Sequence, residues 1–308
     1  MELIRFAIRR VIGAAPVAFA VLVVTFLMLR LVPGDPVQVI AGTTLDPDVA
    51  AELREQLGLD DPLWHQFWDY LTGVFRGDLG TSYLTDRPVS TIIGDRILNT
   101  LRLSCAGLLI AVCISVPFGV WVGRRRKGDA GVGFTTATTM MAATPDFLLA
   151  TILSVVFAVQ LGWFPVAGDK GWTSLVLPAV ALGIPLAGIQ ARVVRAGIAD
   201  ASQQPFVRTL RAVGVAERTI LTNHVAPNAS IPLITLLSVE FSRVIAGALV
   251  VENIFAWPGL GTTIFESIER RDLPAVQGEI LVVALVILLV NIVVDVLYRV
   301  IDPRIGAT

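Results

Sequence analysis

Four ionisable residues interrupt stretches that are otherwise long and apolar: Asp146, Glu240, Arg243 and Asp295. A charge in hydrocarbon is costly, so such a residue pairs, faces a polar cavity or serves a passing solute. Glu240 and Arg243 stand three apart, the spacing of neighbours on one helix face. They could neutralise each other, and, paired or not, they are expected to face a central cavity rather than lipid. Asp295 follows Asn291 by four residues, which fits a structural hydrogen bond along a helix. Asp146 follows Pro145, and residue types alone do not assign it a role. Other chemistries lack their residues. No His-Glu-x-x-His or Gly-x-Ser-x-Gly run offers a hydrolytic centre, and no GxxxxGK[ST] loop offers a phosphate site. The two histidines and two cysteines give no metal site. Cys105 and Cys113 read as small buried hydrophobes. Eight residues apart on a helix, they are separated by about 12 Å along its axis, too far for a disulfide.

The chain around these charges is built for a bilayer. Of 308 residues, 55% are hydrophobic and 16% charged, too little charge for a soluble domain of this length. A net charge of −1 gives no footprint for nucleic acid. Segments 11–29, 103–123, 131–168, 171–191, 229–251 and 280–300 are each long enough to cross a membrane, the third as one tilted span. Pro178 and Pro185 are tolerated in the fourth because neighbouring helices satisfy the freed backbone groups. The first segment lacks the short core and small-residue cleavage site of a signal peptide, so a retained span is expected. Arg5, Arg9, Arg10, Arg124, Arg125, Arg126, Lys127, Arg192, Arg195, Arg208, Arg211, Arg218, Arg299 and Arg304 fall on one side. Short loops on the other side hold only Lys170, Arg270 and Arg271. Positive residues mark the cytoplasmic side. The expected fold is therefore an all-α integral membrane protein with six transmembrane helices and both termini cytoplasmic. Its parts are a first span at 1–32, an extracytoplasmic region at 33–98 and a five-helix core at 99–302.

Two connections carry patterns of their own. In 33–98, Asp46 and Pro47 open a helix on which Val49, Leu53 and Leu57 align, and Gly58 closes it. Leu63, Phe67, Leu71 and Val74 align in a second helix, and GDLGTSY then reads as a turn. A loop this long is unusual without a role, and a cap packed on the outer mouth of the bundle is favoured over substrate contact. The other connection is the polar stretch 199–232, with its coupling loop at 199–230. Pro205 fits the first turn of a helix and Gly214 the position just past its end. Phe206, Val207, Leu210 and Val213 share one face and Arg208 and Arg211 another, with Thr209 and Ala212 between. A second helical stretch covers 215–224 before Pro227 and Pro232. A short capped rod of this kind fits docking into another protein, and it also fits a helix on the inner leaflet with snorkelling arginines.

The run VRTLRAVGVAERTILTNHVAPNASIP resembles the cytoplasmic signature loop of bacterial ABC importer permeases of the peptide and nickel branch. Arg208, Thr209, Arg211, Ala212, Gly214, His224, Asn228, Ala229, Ile231 and Pro232 match that pattern, while Leu210 and Val213 replace the usual alanine and lysine. RLVPGDP, LGLDDPLWHQFWDYL, GDLGTSY, PVSTIIGDRILNTLRLS, LGWFP, VVENIFAWPGLG, RRDLPAVQG and DVLYRVIDPRI resemble the same branch, in its order, over nearly the whole chain. The resemblance implies the first permease subunit of a dipeptide or oligopeptide importer, with the type I ABC importer permease fold. It implies a second homologous permease completing a heterodimer, two cytoplasmic ATPase domains, separate or fused, and an extracytoplasmic peptide-binding protein. ATP and magnesium would bind those ATPase domains, leaving this chain non-catalytic and without a cofactor. ATPase coupling would fall to Pro205, Phe206, Val207, Arg208, Thr209, Leu210, Arg211, Ala212, Val213 and Gly214. Asp146, Glu240 and Arg243 depart from the residues usual in the family and are the candidates for the translocation pathway. Region 250–277 is expected to fold on the outer face, with Trp257 packed rather than anchoring at the interface. Rival readings are a permease for nickel, glutathione or another small solute of the branch, and an ATPase-independent channel or ion-coupled carrier. The latter would explain the intramembrane charges but not the amphipathic stretch.

Overall fold

The computed structural model describes residues 2–31, 37, 47–56, 59–124 and 130–301. Arg125, Arg126, Lys127 and Arg304 of the charge pattern, and Asp46, Leu57 and Gly58 of the first loop helix, lie outside the described residues. Among those described, the chain is built of helices, and the extended pairing is one isolated bridge between Thr81 and Pro88. In chain order the helices are α1 Glu2–Leu31, α2 Pro47–Gln56, α3 Leu63–Arg76, α4 Val89–Gly123, α5 Ala130–Ala143 and α6 Asp146–Leu153. They continue as α7 Trp172–Ser202, α8 Pro205–Ala212, α9 Glu217–Ile220, α10 Ala226–Ile254, α11 Leu260–Glu269 and α12 Leu273–Ile301.

Helices α1, α4, α7 and α12 are each long and apolar enough to cross a membrane, and the count reaches 6 if two bent pairs are each one span. The third span is not the single tilted helix expected from its run. It breaks by 93° between Gly131–Ala143 and Asp146–Gln160. Pro145 lacks an N–H and disfavours helical backbone at the residue before it, which accounts for the break. Beyond α6 the chain widens into a π-helical turn, Ser154–Gln160. The fifth span bends by 43° between Leu237 and Val239.

Contacts divide the chain into two compact units. One comprises Met1–Asn99 and Pro258–Val296, the other Thr100–Trp257 and Leu297–Thr308. In the first, α3 packs onto α1. The Phe67 ring lies edge-on to Phe19 at 6.4 Å and to Phe26 at 5.1 Å, and Tyr70 stacks on Phe26 at 6.0 Å. Asn99 donates to the carbonyl of Pro258 at 2.8 Å. Arg10 pairs with Asp295 at 3.2 Å. That pair joins α1 to α12 and gives Asp295 a partner that its spacing from Asn291 did not indicate. A guanidinium neutralises a carboxylate in apolar surroundings and an amide does not.

The second unit is organised on α7, packed by α5, α6 and α10. Against it α4 presents Gly107, Ala111, Ser115, Gly119 and Gly123, a small residue every four positions. The approach is close enough to exclude larger side chains. A Cβ on Gly183 would lie 2.8 Å from the carbonyl oxygen of Gly107, and one on Gly119 would lie 2.7 Å from Cβ of Val194. Small residues let spanning helices gain dispersion energy that lipid does not supply. Because this stripe takes the packed face of α4, Cys105 and Cys113 end up exposed rather than buried. Trp257 is 4% exposed and packs with Phe255, Val251 and Ala248.

Candidate coupling and translocation site

Helix α8 is a rod held at both ends. Pro205 occupies its first turn, where the missing N–H costs nothing. At the far end the Val215 N–H donates to the Leu210 carbonyl at 3.0 Å and the Gly214 N–H to that of Arg211 at 3.1 Å. These two bonds form a Schellman closure, which requires the left-handed backbone that Gly214 adopts at φ +82°. Val207 is fully buried and, with half-buried Leu210, joins a cluster formed by Val194, Ile198, Ile220 and Val225. Burial of a valine side chain is worth about 1.5–3 kcal/mol, so Val207 pins the rod to the last turns of α7 and the end of α9. The single apolar face expected at this helix is therefore split. Val207 and Leu210 turn inward, while Phe206 (38% exposed) and Val213 (71% exposed) face out. Pro205, Arg208, Thr209, Arg211, Ala212 and Gly214 are exposed beside them. Arg211 is engaged locally, donating through Nε to Glu217 Oε1 at 2.5 Å. That hydrogen bond holds the Glu217 carboxyl below its ordinary value and raises Arg211. Both groups are exposed and precede the apolar part of the fifth span.

The three charges proposed for the pathway gather around α10 in different states. Glu240 is 3% exposed and turned into the bundle. Gln190 of α7 donates through Nε2 to its Oε2 at 2.6 Å and accepts at Oε1 from the Ser115 hydroxyl of α4 at 2.9 Å. One chain of side-chain hydrogen bonds therefore ties α4, α7 and α10. Glu240 Oε1 is buried with no hydrogen-bond partner. Glu240 and Arg243 do not make a direct ion pair among the described residues, so any neutralisation between them acts at a distance. Gln190 takes the carboxylate, and Arg243 stays exposed. Arg243 belongs to an exposed stripe of α10 with Val239, Ala246 and Val250. Asp146, half-buried at the start of α6, sets its carboxylate against α10 at Gly247, where a Cβ would lie 2.8 Å from Oδ2. The Arg243 charge acts on both Asp146 and Glu240. The result is an acid and a base near one flank of α10 without direct contact, beside a second acid buried behind them.

Residues 115–307 match the family described as binding-protein-dependent transport system inner membrane component, and residues 3–104 match its N-terminal counterpart. The chain belongs to this family. The permease is 40% identical over 305 residues to the glutathione transport system permease protein GsiC of Salmonella choleraesuis (strain SC-B67), covering 98% of one chain and 99% of the other. The protein of that name from Escherichia coli (strain K12) is 39% identical over the same length. Among solved structures, an amino acid ABC transporter with histidines aligns at TM-score 0.52 and 16% identity, over 70% of the permease and 95% of that chain. The MetNI methionine ABC transporter, in inward facing conformations, aligns at TM-score 0.53 and 17% identity, over 68% and 96%. At these identities the likeness is one of fold. The permease is thus an all-α, multi-pass inner-membrane component of an ABC importer.

Sequence reasoning missed Gln190 and Ser115. Gln190 was visible as a lone amide inside an apolar run, and buried polar side chains in a membrane bundle need partners. Ser115 was visible as the third member of the four-residue small stripe on α4.

Proposed function

We propose that the permease forms half of the pathway through which an ATP-driven importer takes up dipeptides or short oligopeptides, glutathione among them. The observation that carries this is α8: a short rod closed at both ends, pinned by one buried valine, and displaying Phe206, Val213 and Arg208 outward. Such a rod transmits displacement without bending. In this reading α8 and both termini are cytoplasmic, and α8 sits in a cleft of an ATPase domain. ATP and magnesium bind the ATPase domains, and this chain supplies no catalytic group. When the ATPase domains close, α8 moves with its partner and tilts α7 and α10, to which it is joined. The coupling works because α8 contacts the ATPase in both arrangements, and nucleotide shifts the balance only through differential interaction with them. A second, homologous permease completes the pore, and a binding protein delivers cargo from outside.

The relatives' named cargo supports a peptide. Glutathione is a tripeptide with two carboxylates and an ammonium group, and Arg243 and Asp146 offer one charge of each sign along α10. The test is to copurify the complex from membranes and reconstitute it in vesicles with its binding protein. Uptake of labelled dipeptide, longer peptide and glutathione is then measured against ATP hydrolysis. The reading expects ATP-dependent uptake, and a several-fold rise in half-saturating peptide for Arg243→Gln and Asp146→Asn. Transport that proceeds without the ATPase, or that ignores both substitutions, overturns it.

A further inference from the structure

Helix α3 carries three distinct faces. At about 100° per residue, Val74, Phe67, Leu63, Tyr70, Leu71, Trp64, Phe75 and Trp68 fall within about 160° of the circumference. His65, Gln66, Asp69, Thr72 and Arg76 fill the opposite side. The apolar arc is wider than its contacts require. One flank is used, since Phe67 and Tyr70 pack on Phe19 and Phe26 of α1. The other flank is open: Trp64, whose ring stacks on His65 at 4.5 Å at the edge of the polar side, is 68% exposed, Trp68 60% and Phe75 82%. These three recur at helical spacing and form a stripe.

Depth decides what covers that stripe. Phe19 and Phe26 both lie within the apolar span Arg5–Leu27 of α1. Phe67 bridges them, which places it roughly 10 Å inside the end of the apolar run 11–29 at 1.5 Å per residue. Helices that lie in the plane of a membrane interface sink about 5–10 Å into the boundary between headgroups and acyl chains. The exposed apolar arc of α1 begins at Phe19, beside the Phe67 ring, and runs round through Leu27 to Val24 and Val17. In an inner-membrane protein that surface meets lipid. Tryptophan favours this depth, where the ring is buried and its N–H reaches water.

We propose that α3 is an in-plane interfacial helix, seated in the leaflet at the Leu27 end of α1, with Trp64, Trp68 and Phe75 in lipid and His65, Asp69 and Arg76 in water. In the orientation proposed above this is the outer leaflet. The partner is the bilayer itself. The first extracytoplasmic region is then held at membrane level by its own anchor, independently of cargo.

The test uses the whole importer in vesicles, with Cys105→Ala and Cys113→Ala removing the native thiols. Nitroxide labels are placed singly through Trp64→Cys, Trp68→Cys, Phe75→Cys, His65→Cys, Asp69→Cys and Arg76→Cys. Relaxation by oxygen, which partitions into lipid, is compared with relaxation by a water-soluble nickel chelate. The oxygen-to-nickel ratio is expected to be several-fold higher at 64, 68 and 75 than at 65, 69 and 76. High nickel access at all six positions overturns the proposal. So does protection of 64, 68 and 75 from both reagents, which would mean a protein cover; repeating with and without the binding protein tells that cover from the second permease. A measurement without labels uses lipids brominated near the headgroup. The double variant Trp64→Phe/Trp68→Phe is expected to lose a clear part of the quenchable tryptophan emission, and unchanged quenching overturns the proposal. Neither readout needs transport, so their failure is distinct from failure of the peptide reading.

Discussion

Ser82 donates its hydroxyl to Oδ2 of Asp272 at 2.5 Å, across 190 positions of sequence. The Tyr83 N–H reaches the other carboxylate oxygen at 3.1 Å. Asp272 is 2% exposed and immediately precedes α12, where a negative charge is favoured by the helix dipole. One carboxylate thus fastens the GDLGTSY turn to the RRDLPAVQG turn and steadies the start of a span. Hydrogen bonds to a charged group are worth about 1.5–3 kcal/mol each. Asp272→Ala strands the Ser82 hydroxyl and the Tyr83 N–H, so the solubilised complex should lose at least one bond's worth of stability and melt at a clearly lower temperature. Asp272→Asn, which can still accept, should fall between. A melting curve for Asp272→Ala that overlays the wild type would show that the contact contributes nothing.

The α4–α7 contact predicts a sharper effect. At Gly119 a Cβ would meet Cβ of Val194 at 2.7 Å and the Ala191 carbonyl oxygen at 2.8 Å. A backbone carbonyl inside a helix cannot step aside, so the helices must part. Overpacking costs about 1–3 kcal/mol, sometimes more. Gly119→Val should therefore lower the yield of folded permease and its resistance to detergent. Gly133, where nothing lies within 4 Å of a Cβ, is the control: Gly133→Ala should behave as wild type.

Patterns that are local in sequence were legible in advance. Pro205 and Gly214 delimit α8 because each satisfies a backbone requirement of its own position. What depended on distant partners was not legible. Asp295 finds Arg10 near the other end of the chain, and Glu240 finds Gln190 on a different span. Cys105 and Cys113 show a second reason. Lipid is as apolar as a protein core, so a hydrophobic residue in a span carries no mark of which way it faces. Proline was ambiguous in the same way. Pro178 and Pro185 lie within α7, which runs on as one helix, whereas Pro145 stands at a 93° break. The residue type is shared, and neighbouring contacts select the outcome.

The Gln190–Glu240 bond predicts an asymmetry between its two ends. Glu240→Gln keeps an acceptor for the Gln190 amide and removes a buried charge, so the fold should tolerate it. Gln190→Leu leaves the carboxylate buried without its donor, and Ser115 with only a long 3.5 Å contact to the Val112 carbonyl. An orphaned buried polar group costs about 1–3 kcal/mol, and more when charged. Thermal stability should therefore fall clearly for Gln190→Leu and little for Glu240→Gln. The double variant Gln190→Leu/Glu240→Leu should recover part of the loss, because both partners are then apolar. Equal losses at both single sites would contradict the assigned chain.

Gly214 tests whether α8 must be closed to do its work. Its φ of +82° is unfavourable for any L side chain by about 1–2 kcal/mol, yet nothing lies within 4 Å of a Cβ placed there. Gly214→Ala therefore meets only a conformational cost. It should leave the permease inserted, slightly less stable and still coupled. Gly214→Pro is different in kind, because proline fixes φ near −65° and lacks the N–H that donates to Arg211. The Schellman closure is lost and the rod opens at the end next to α9. Vesicles carrying Gly214→Pro should hydrolyse ATP with much less peptide taken up per ATP than Gly214→Ala, at similar protein content. Arg208→Glu with Arg211→Glu should fail in the same direction by reversing the charge that α8 presents. The decisive measurement is the ratio of uptake to hydrolysis. If it is unchanged in Gly214→Pro, α8 does not transmit the stroke, however well it is placed to do so.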